Sequence, residues 1–411
     1  RGAIPKCDKP GKPLQVRNEK LKMKSIEEQI EIFKKGCVNI IEEDELKEKL
    51  REKRPLRVKF GADPSSPDLH LGHLVVLNKL REFGELGHKI IFIIGDFTAR
   101  IGDPSGQKAT RPVLSKEDVL KNARTYQKQI FRILDKSYTE IVYNSGWLEK
   151  MSLEQIFQLT SKYTIARMLE RRDFRERFEK NQDIYTTEFL YPLLQGYDSV
   201  YLKADVEIGG EDQIFNLLVG RTLQQKFSQK PQVVMTLPLL VGTDGEKKMS
   251  KSYNNYIGIT EEPQEIYGKV MSISDELMYD WIKILTFVDG KRIKNLPPRQ
   301  GKALLAFEIV KFLYDEEKAK KAQAHFEKVI VNKDLPEEIR EVVIKEKKLP
   351  AFELVYCAGL CQSKTQAKQL ISQGGFSADG KKIADFKKII EIKDGMILKA
   401  GKRNFAKIKR G

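Results

Sequence analysis

Apolar residues in the first two thirds of the chain are spaced in a way that predicts short helices alternating with short strands. Between Ile26 and Leu50 the spacing is helical, and Gly36 divides this stretch into two short helices. Apolar runs then predict strands at residues 56–60, 89–94, 140–143, 200–202 and 233–240. Because helical patterns separate these strands, we expect a doubly wound α/β domain with a largely parallel sheet, ending near residue 252.

Beyond residue 252 the pattern becomes helical. Helices are predicted at residues 263–271, 275–287 and 301–331, and the apolar stripe of the last is interpreted as core packing. A boundary follows near Leu349 and Pro350. Residues 352–372 then have a helix-turn-helix pattern, followed by short β-like runs. We therefore expect a mainly helical domain at residues 253–348 and a small α+β module at residues 350–411.

The charge of the chain favours a polyanionic partner. The 411 residues include 74 Lys plus Arg against 58 Asp plus Glu, a net charge of +16, and nucleic acid is the first candidate for such a partner. A lysine-rich proteome is the alternative explanation, and it predicts evenly spread charge. Residues 351–411 alone carry a net charge of +8. Such a concentration at one end of a chain is typical of an RNA-binding module.

The N-terminal segment differs from the rest of the chain. Residues 1–22 contain three prolines and seven Lys or Arg against two acids, so we expect residues 1–25 to form a disordered basic extension. The segment has neither the apolar core of a secretory signal nor the serine-rich pattern of an organellar leader, so a targeting role is less favoured.

The absence of long apolar runs predicts a soluble protein with no membrane partner, since a membrane-spanning helix needs roughly 18 to 20 such residues. The four cysteines include no Cys-x-x-Cys pair, which fits a reducing cytoplasm. Cys357 and Cys361 lie four residues apart, but their apolar neighbours favour packing over zinc binding.

Two short motifs indicate chemistry on ATP. His70-Leu71-Gly72-His73 follows a predicted strand and a turn at residues 61–64, and we expect Pro67 and Asp68 to open the helix that carries both histidines. A strand followed by a turn and a helix start directs free backbone N–H groups at phosphate. Far downstream stands Lys248-Met249-Ser250-Lys251-Ser252, preceded by a turn suited to a mobile loop. Imidazoles and ammonium groups can stabilise a triphosphate while a carboxylate displaces pyrophosphate.

A third pattern predicts a pocket. Tyr191, Gln195 and Asp198 stand at i, i+4 and i+7, so on a helix they form one polar stripe. The alternative is a helix whose polar residues are satisfied internally, without any ligand.

With residues 102–106 (Gly-Asp-Pro-Ser-Gly) and 209–213 (Gly-Gly-Glu-Asp-Gln), these motifs resemble the class I aminoacyl-tRNA synthetases, and more closely the bacterial-type tyrosyl-tRNA synthetases. The likeness runs from about Ile26 to the end. It implies a Rossmann-like catalytic domain at residues 26–252, a helical anticodon-binding domain at 253–348 and an S-four-type RNA-binding module at 350–411. It also implies activation of L-tyrosine with ATP and Mg²⁺, transfer to tRNA(Tyr), a homodimer, and no structural metal held by the protein.

The resemblance implies roles for individual residues. Those matching the catalytic residues of the family are His70, His73, Arg111, Lys248, Lys251 and Ser252. Those matching its tyrosine-binding residues are Lys59, Asp103, Tyr191, Gln195, Asp198 and Gln213. Those expected near ATP are Asp63, Gly72, Gly209, Asp212, Leu240 and Val241, and those expected on RNA are Lys364, Lys368, Lys402 and Arg403.

Two positions depart from the best-known branch of the family. Lys59 stands where that branch has a tyrosine, and Gln107 stands where it has a lysine, with Lys108 one place on. Three alternatives stay open at this point: a tryptophanyl-tRNA synthetase, another nucleotidyltransferase with a His-x-Gly-His turn, and an RNA-binding relative without catalysis.

Overall fold

The chain folds as two units whose boundary lies between Asp315 and Glu316. The structure is a computed structural model, and it describes residues 24–64, 68–103, 115–285, 287–328, 339–401 and 404–410. Each unit has its own secondary structure and its own sheet.

The first unit contains six strands and most of the helices. Its strands are β1 (Asn39–Ile41), β2 (Arg57–Ala62), β3 (Lys89–Ile94), β4 (Thr139–Tyr143), β5 (Val206–Gly210) and β6 (Val233–Leu237). Its helices up to the last of these strands are α1 (Ile26–Lys34), α2 (Glu43–Arg51), α3 (Leu71–Glu85), α4 (Lys116–Ile130), α5 (Ser145–Leu148), α6 (Leu153–Thr160), α7 (Ile165–Met168), α8 (Arg172–Glu179), α9 (Thr186–Leu202) and α10 (Ile214–Lys226). Those that follow are α11 (Pro263–Met271), α12 (Asp275–Ile284), α13 (Gly290–Lys294) and α14 (Pro298–Leu313).

The sheet of the first unit has the strand order β1-β6-β5-β2-β3-β4. Strands β2 to β6 run parallel, while β1 pairs antiparallel with β6 at one edge. The apolar residues of β3, Ile90 to Ile94, are almost completely buried, as expected for a strand covered on both faces. Because β2 has β3 on one side and β5 on the other, the order reverses there, and a crevice opens at the carboxyl ends of these strands. The expected doubly wound α/β fold is confirmed.

Three local predictions were wrong. Residues 200–202 form the last turn of α9, and the strand lies further on, at Val206–Gly210. An apolar triplet is ambiguous because a helix face and a strand can both bury it. The short edge strand Asn39–Ile41 was not predicted. His70 is the N-cap of α3 and not part of the helix.

The helical stretch after the sheet agrees broadly with the prediction. Helix α11 has the predicted bounds, and α12 ends at Ile284. The single helix predicted at residues 301–331 is two helices, because α14 ends at Leu313 and α15 (Glu316–Phe326) begins the second unit. Residues 329–338 lie outside the described residues. In the described part of the chain, no helix is both long enough and apolar enough to cross a bilayer.

The second unit contains the predicted α+β module. After α15 its strands are β7 (Glu341–Ile344), β8 (Lys348–Pro350), β9 (Phe376–Ala378), β10 (Lys381–Lys382), β11 (Ile389–Glu391), β12 (Ile397–Ala400) and β13 (Asn404–Arg410), and its remaining helices are α16 (Ala351–Cys357) and α17 (Lys364–Ser372). Five strands form one sheet in the order β10-β9-β12-β13-β7, and β11 pairs with β8. Strand β7 pairs with β13. Residues that precede position 350 are therefore part of this sheet.

Candidate active site

The residues of the candidate site follow the carboxyl ends of the parallel strands. Strand β2 leads to Asp63 and the histidine turn, and β3 leads to Thr98 and Asp103. The remaining strands lead to other members of the site: Asn144 and Trp147 after β4, Asp212 and Gln213 after β5, and Leu240, Val241 and Lys248 after β6. The chain thus brings together, at one edge of the sheet, residues that are far apart in sequence.

The two histidines lie at the N-terminus of α3. Their ring centroids are 4.1 Å apart. The Nδ1 atom of His70 accepts the backbone N–H of Gly72 at 3.2 Å, and Nδ1 of His73 accepts the backbone N–H of His70 at 3.3 Å. A Cβ atom at position 72 would lie 2.9 Å from the His70 ring, so only glycine lets that ring pack over the start of the helix.

Burial determines the protonation state of both rings, and their hydrogen bonds determine which nitrogen carries the proton. Burial, followed by the charges of neighbouring groups, lowers the pKa of His70 to about 2, and burial with the charge of Lys251 lowers the pKa of His73 to about 4. Both rings are therefore neutral near pH 7. Since each Nδ1 accepts a hydrogen bond, each ring carries its single proton on Nε2 and can donate it to a ligand oxygen.

The lysine box begins in a hairpin, residues 240–250, which we call the lysine hairpin, and its last two residues follow directly after that hairpin. Its two lysines are held by carboxylates from different strand ends. The Nζ atom of Lys248 lies 2.7 Å from Oδ2 of Asp212, and Nζ of Lys251 lies 3.2 Å from Oδ2 of Asp68. The side chain of Lys248 is 44% exposed and that of Asp212 is 29% exposed, so water reaches this pair.

Main-chain hydrogen bonds join the histidine turn to the segment after the lysine box. The N–H of Leu71 donates to the carbonyl of Ile257 at 2.9 Å, and the N–H of Ile259 donates to the carbonyl of Leu69 at 3.0 Å. His70 and Gly258 thus pair as an antiparallel bridge. The histidines and lysines therefore share one local framework.

Asp198 is the central residue of a buried polar pocket. Its side chain is 3% exposed, its Oδ1 accepts the indole N–H of Trp147 at 2.8 Å, and its Oδ2 faces the amide of Asn144 at 3.4 Å. Burial raises the pKa of Asp198 to about 7, against the opposing effects of Lys59 and these two donors. A carboxyl group of this kind is well suited to pair with a hydroxyl group of a ligand.

A chain of hydrogen bonds runs from Asp198 back to Tyr191 on the same helix. The amide of Asn144 also donates to the hydroxyl of Thr98 at 3.1 Å, which donates to Oδ1 of Asp63 at 2.7 Å. The hydroxyl of Tyr191 donates to Oδ2 of Asp63 at 2.9 Å. Asp63 was expected beside ATP, and Tyr191 was expected to bind tyrosine. Their contact therefore joins the residues expected to bind the nucleotide to those expected to bind the amino acid.

A second set of contacts connects the polar pocket to Lys248 of the lysine box. The amide of Gln213 donates to Oδ2 of Asp103 at 2.9 Å, and the neighbouring residue in the chain, Asp212, holds Lys248. The buried guanidinium of Arg171 also lies near Asp103, at 3.7 Å. The side chains expected to bind the amino acid and those expected to bind the nucleotide therefore meet at two consecutive residues after β5.

Lys59 is engaged within the protein. It is 1% exposed, and its ammonium group contacts Oε1 of Glu207 at 2.8 Å, the hydroxyl of Ser199 at 2.7 Å and the carbonyl of Gln195 at 3.0 Å. An ammonium group has three hydrogens, and these three contacts use all of them. Lys59 therefore links β2 to α9 through Gln195 and Ser199, and its ammonium group has no hydrogen left to donate to a ligand.

The other expected residues are divided between the two units. Gly209 is buried in β5, Leu240 is 3% exposed, and Val241 pairs with Lys248 across the lysine hairpin. Gln195 is partly exposed on α9, and Ser252 is exposed. Lys364 and Lys368 lie exposed on α17 of the second unit. The expected site residues Arg111, Lys402 and Arg403, together with Gln107 and Lys108, lie outside the described residues.

Four residues of the pocket were missed by sequence reasoning: Thr98, Asn144, Trp147 and Arg171. The first three had a signal, because each follows a predicted strand within a few residues, at the edge where ligands bind in such sheets. Arg171 had none, since it precedes a charged helix in which it does not stand out.

Comparisons with known proteins agree with this geometry. Residues 51–330 match the family model described as tRNA synthetases class I (W and Y). The tyrosine–tRNA ligase of Aquifex aeolicus is 52% identical over 389 residues, 94% of this chain and 99% of that protein. That of Thermotoga maritima is 51% identical over 394 residues, 94% of this chain and 98% of that protein.

Solved structures show the same fold at lower identity. The tyrosyl-tRNA synthetase of Archaeoglobus fulgidus, solved with L-tyrosine, superposes with a TM-score of 0.59 at 24% identity, covering 73% of this chain and 100% of that one. That of Aeropyrum pernix also has a TM-score of 0.59, at 18% identity, and covers 73% of this chain and 98% of that one. The family match and the long, highly similar relatives agree: the chain belongs to the class I tRNA synthetases of the tryptophan and tyrosine group, and within that group to the tyrosine–tRNA ligases.

Proposed function

We propose that the protein joins L-tyrosine to tRNA(Tyr) in two steps. The carboxylate of tyrosine attacks the α-phosphorus of ATP and displaces pyrophosphate, giving tyrosyl-adenylate. A ribose hydroxyl at the 3′ end of tRNA then attacks the adenylate carbonyl and releases AMP. The observation that carries this proposal is the meeting, at one sheet edge, of a buried carboxyl pocket and a histidine–lysine cluster. No side chain needs to act as a nucleophile, so positioning and charge stabilisation supply the catalysis.

Tyrosine is proposed to lie along α9 with its ring towards Asp198. The phenolic hydroxyl donates to Asp198, which Trp147 and Asn144 already hold in place. The ammonium group is placed among Asp103, Tyr191, Gln195 and Gln213. A substrate without the hydroxyl removes one of the hydrogen bonds to the buried Asp198 and excludes the water that could replace it, which costs binding free energy. Lys59 takes no direct part in this recognition, because its three hydrogens are used within the protein.

The triphosphate of ATP is proposed to bind between the histidine turn and the lysine hairpin. Neutral His70 and His73 donate their Nε2 protons to phosphate oxygens. Lys248 and Lys251 exchange their carboxylate partners for the departing pyrophosphate, since the charges of the phosphates exceed those of the carboxylates. Ser252 and Arg111 are assigned to the same end of the site, following the family pattern.

The nucleoside is proposed to lie over the strand ends beside these groups. Gly72, Gly209 and Asp212 face the ribose and phosphates, Leu240 and Val241 face the adenine, and Asp63 lies where nucleotide and amino acid meet. Mg²⁺ enters as part of the substrate, bound to the phosphates of ATP. In the described part of the chain, no group of three or more His, Cys, Asp or Glu is placed to hold a metal ion.

The parts of the chain after residue 252 are proposed to bind tRNA. The helices that follow residue 252 form the anticodon-binding domain, and the small α+β module, whose sheet includes β7 at Glu341–Ile344, forms the second RNA-binding module. Exposed Lys364 and Lys368 on α17 support the latter role. Lys368 lies over the ring of Phe352 at 4.7 Å, so the face combines charge with an aromatic surface. Lys402 and Arg403 are assigned to the same module from the family pattern.

We further propose that two copies of the chain form a dimer through the surface of α6 to α8. Leu153 and Phe157, one turn apart on α6, are 68% and 63% exposed, and Ile165 and Phe178 are 66% and 62% exposed. Large apolar side chains at this level of exposure mark an interaction surface. L153E/F157E should convert a dimer of the wild type into a monomer in sedimentation experiments. An unchanged mass would disprove this interface, and a monomeric wild type would disprove the dimer.

We assign the reaction to the cytoplasm. The three cysteines in the described residues, Cys37, Cys357 and Cys361, are free thiols, as expected in a reducing compartment.

The activity can be tested by pyrophosphate exchange into ATP with each amino acid in turn. We expect exchange with tyrosine alone, followed by transfer of labelled tyrosine to tRNA(Tyr). Exchange with tryptophan alone would establish the other member of the group, and its absence with every amino acid would contradict synthetase activity.

A further inference from the structure

The lysine hairpin is closed by bonds within its own main chain. The N–H of Met249 donates to the carbonyl of Leu240 at 2.7 Å, and the N–H of Gly242 donates to the carbonyl of Lys247 at 2.8 Å. The stem is also fixed from outside, because the indole N–H of Trp281 on α12 donates to the carbonyl of Val241 at 2.9 Å. These bonds hold the stem but not the tip, where the chain turns.

Asn255 fills the space inside the tip. It is 2% exposed, and its amide nitrogen lies 2.9 Å from Oδ2 of Asp244, 3.3 Å from the carbonyl of Lys247 and 3.2 Å from that of Lys248. Its amide oxygen accepts the N–H of Ser250 at 2.8 Å. One buried side chain thus bonds the hairpin on both sides of the first catalytic lysine.

The hairpin is shaped around this residue. The carbonyl of Asn255 accepts the N–H of Thr243 at 2.9 Å, and a Cβ atom at Gly242 would lie only 2.2 Å from the Asn255 amide group. Asn254, by contrast, is exposed and has a positive φ of 53°, a conformation that asparagine and glycine adopt more readily than other residues. The two adjacent asparagines therefore have different structural roles.

We propose that Asn255 is a positioning residue for ATP activation. It fixes the carbonyl groups of Lys247 and Lys248 and the N–H of Ser250, so it sets the direction of the Lys248 side chain and the course of the chain into Lys251. The inference rests on the proposed function, in which these lysines bind the pyrophosphate. The side chain of Asn255 itself is enclosed by the hairpin and only 2% exposed, so its proposed role is indirect, through the lysines.

The chemistry of the asparagine amide explains why other residues cannot replace it. Alanine removes all four side-chain contacts, so the N–H of Ser250 and the carbonyl of Lys248 lose the partner that Asn255 gives them. Aspartate has nearly the same shape, but its ionised carboxylate donates no hydrogen bond and lies against the carboxylate of Asp244. N255A and N255D should therefore both loosen the tip of the hairpin. Only N255A changes the volume of the side chain, so an effect of N255D comes from the lost hydrogen bonds.

The first experiment measures adenylate formation in single turnovers with N255A and N255D. A misplacement of about 1 Å at a reacting group costs on the order of a hundredfold, so we expect the rate to fall by about ten- to a hundredfold. The equilibrium dissociation constant for tyrosine should change less than twofold. N254G is the matched control and should retain the wild-type rate. A wild-type rate in N255A would overturn the proposal.

A double-mutant cycle tests whether Asn255 acts through the lysines. In a K248A/K251A background, adding N255A should slow the residual reaction by less than twofold, because the groups that it positions are gone. If the full loss is seen again in that background, Asn255 acts elsewhere and the proposal fails.

Proteolysis provides a test that does not depend on activity. In the absence of ligands, trypsin should cleave after Lys247 or Lys248 at least several times faster in N255A than in N254G, at equal thermal stability. Equal cleavage rates would contradict a role in ordering the tip. If N255A does not fold, N255S, which keeps one hydroxyl donor, is measured in the same way and should show an intermediate effect. Wild-type protein without tyrosine-dependent exchange would defeat the proposed function but leave the cleavage result valid.

Discussion

Two lysine–carboxylate pairs in the first unit have nearly the same length and opposite surroundings. The Lys59–Glu207 pair measures 2.8 Å, and its side chains are 1% and 2% exposed. The Lys248–Asp212 pair measures 2.7 Å, and its side chains are 44% and 29% exposed. The first contacts α9, along which tyrosine is proposed to bind, and the second lies where the triphosphate of ATP is proposed to bind. The distance within a lysine–carboxylate pair therefore does not tell whether the pair stays closed or can exchange its partner; the exposure of the pair does.

The difference follows from desolvation. If the Lys59–Glu207 pair separated, each charge would remain buried, with neither a partner nor water to solvate it. Separating this pair therefore costs several kcal/mol, so the pair stays closed. An exposed pair is weak because water and salt compete with it, so Lys248 can leave Asp212 for a phosphate. In the proposed function, the end of the site that binds the amino acid is thus held rigidly, while the lysines at the nucleotide end exchange their partners during the reaction.

The largest expected difference between the pairs is in stability. E207Q leaves the ammonium of Lys59 buried without its counter-charge, and we expect the free energy of unfolding to fall by about 3 to 5 kcal/mol. D212N should lower it by no more than about 1 kcal/mol. Urea denaturation of both variants and the wild type measures this. Equal losses in the two variants would mean that burial does not separate the pairs.

The exposed pair should instead control the rate. K248A and K251A each remove a charge from the departing pyrophosphate, and we expect adenylate formation to slow by about 10² to 10³. The stability and the affinity for tyrosine should stay close to those of the wild type. Single-turnover kinetics with equilibrium dialysis measures both quantities, and an unchanged rate in both variants would exclude these lysines from the reaction.

The buried end should control selectivity. D198N removes the charged acceptor for the phenolic hydroxyl, and hydrogen bonds to charged groups contribute about 1.5 to 3 kcal/mol, so kcat/KM for tyrosine should fall by about 10- to 150-fold. The value for phenylalanine should change far less, because that ring offers no hydroxyl. Equal losses for the two amino acids would contradict the assignment. A comparison of both substrates in pyrophosphate exchange provides the measurement.

The smallest effect is a difference in pH dependence. The ionised form of Asp198 accepts the phenolic hydrogen, and its pKa of about 7 means that protonation removes this form as the pH falls. We expect the affinity for tyrosine to weaken by about tenfold between pH 8 and pH 6. D198N should flatten this profile. The affinity for ATP should show no titration of His70 or His73 in this range, since their pKa values are about 2 and 4.

Much of the fold followed from the sequence, because long apolar patterns specify their own structure. The strand at Lys89–Ile94 and the helix at Pro263–Met271 were predicted with their exact bounds. The prediction of a strand at residues 200–202 was wrong, because three apolar residues at the end of a long helix fit both the helical and the strand periodicity. The edge strand Asn39–Ile41 is too short to produce a periodic signal.

The site was predictable where a motif is local and obscure where it depends on contacts distant in sequence. The histidine turn and the lysine box are each a run of consecutive residues, so each could be recognised in the sequence by itself. The contacts of Lys59 with Ser199 and Glu207 depend on how β2, α9 and β5 pack. No spacing in the sequence encodes such contacts. Asn255 lies three residues after the lysine box, but its burial inside the hairpin appears only in three dimensions.

The bridge between His70 and Gly258 has a consequence for how this chain can vary over evolutionary time. Its hydrogen bonds join peptide groups, those of Leu69 and Leu71 to those of Ile257 and Ile259, and every residue except proline supplies such groups. The side chains at these four positions are buried in the core, so packing restricts them, while an exchange between apolar residues of similar volume leaves the joint intact. Proline at Leu71 or Ile259, or an insertion that shifts the pairing, would break these bonds and separate the histidine turn from the segment after the lysine box.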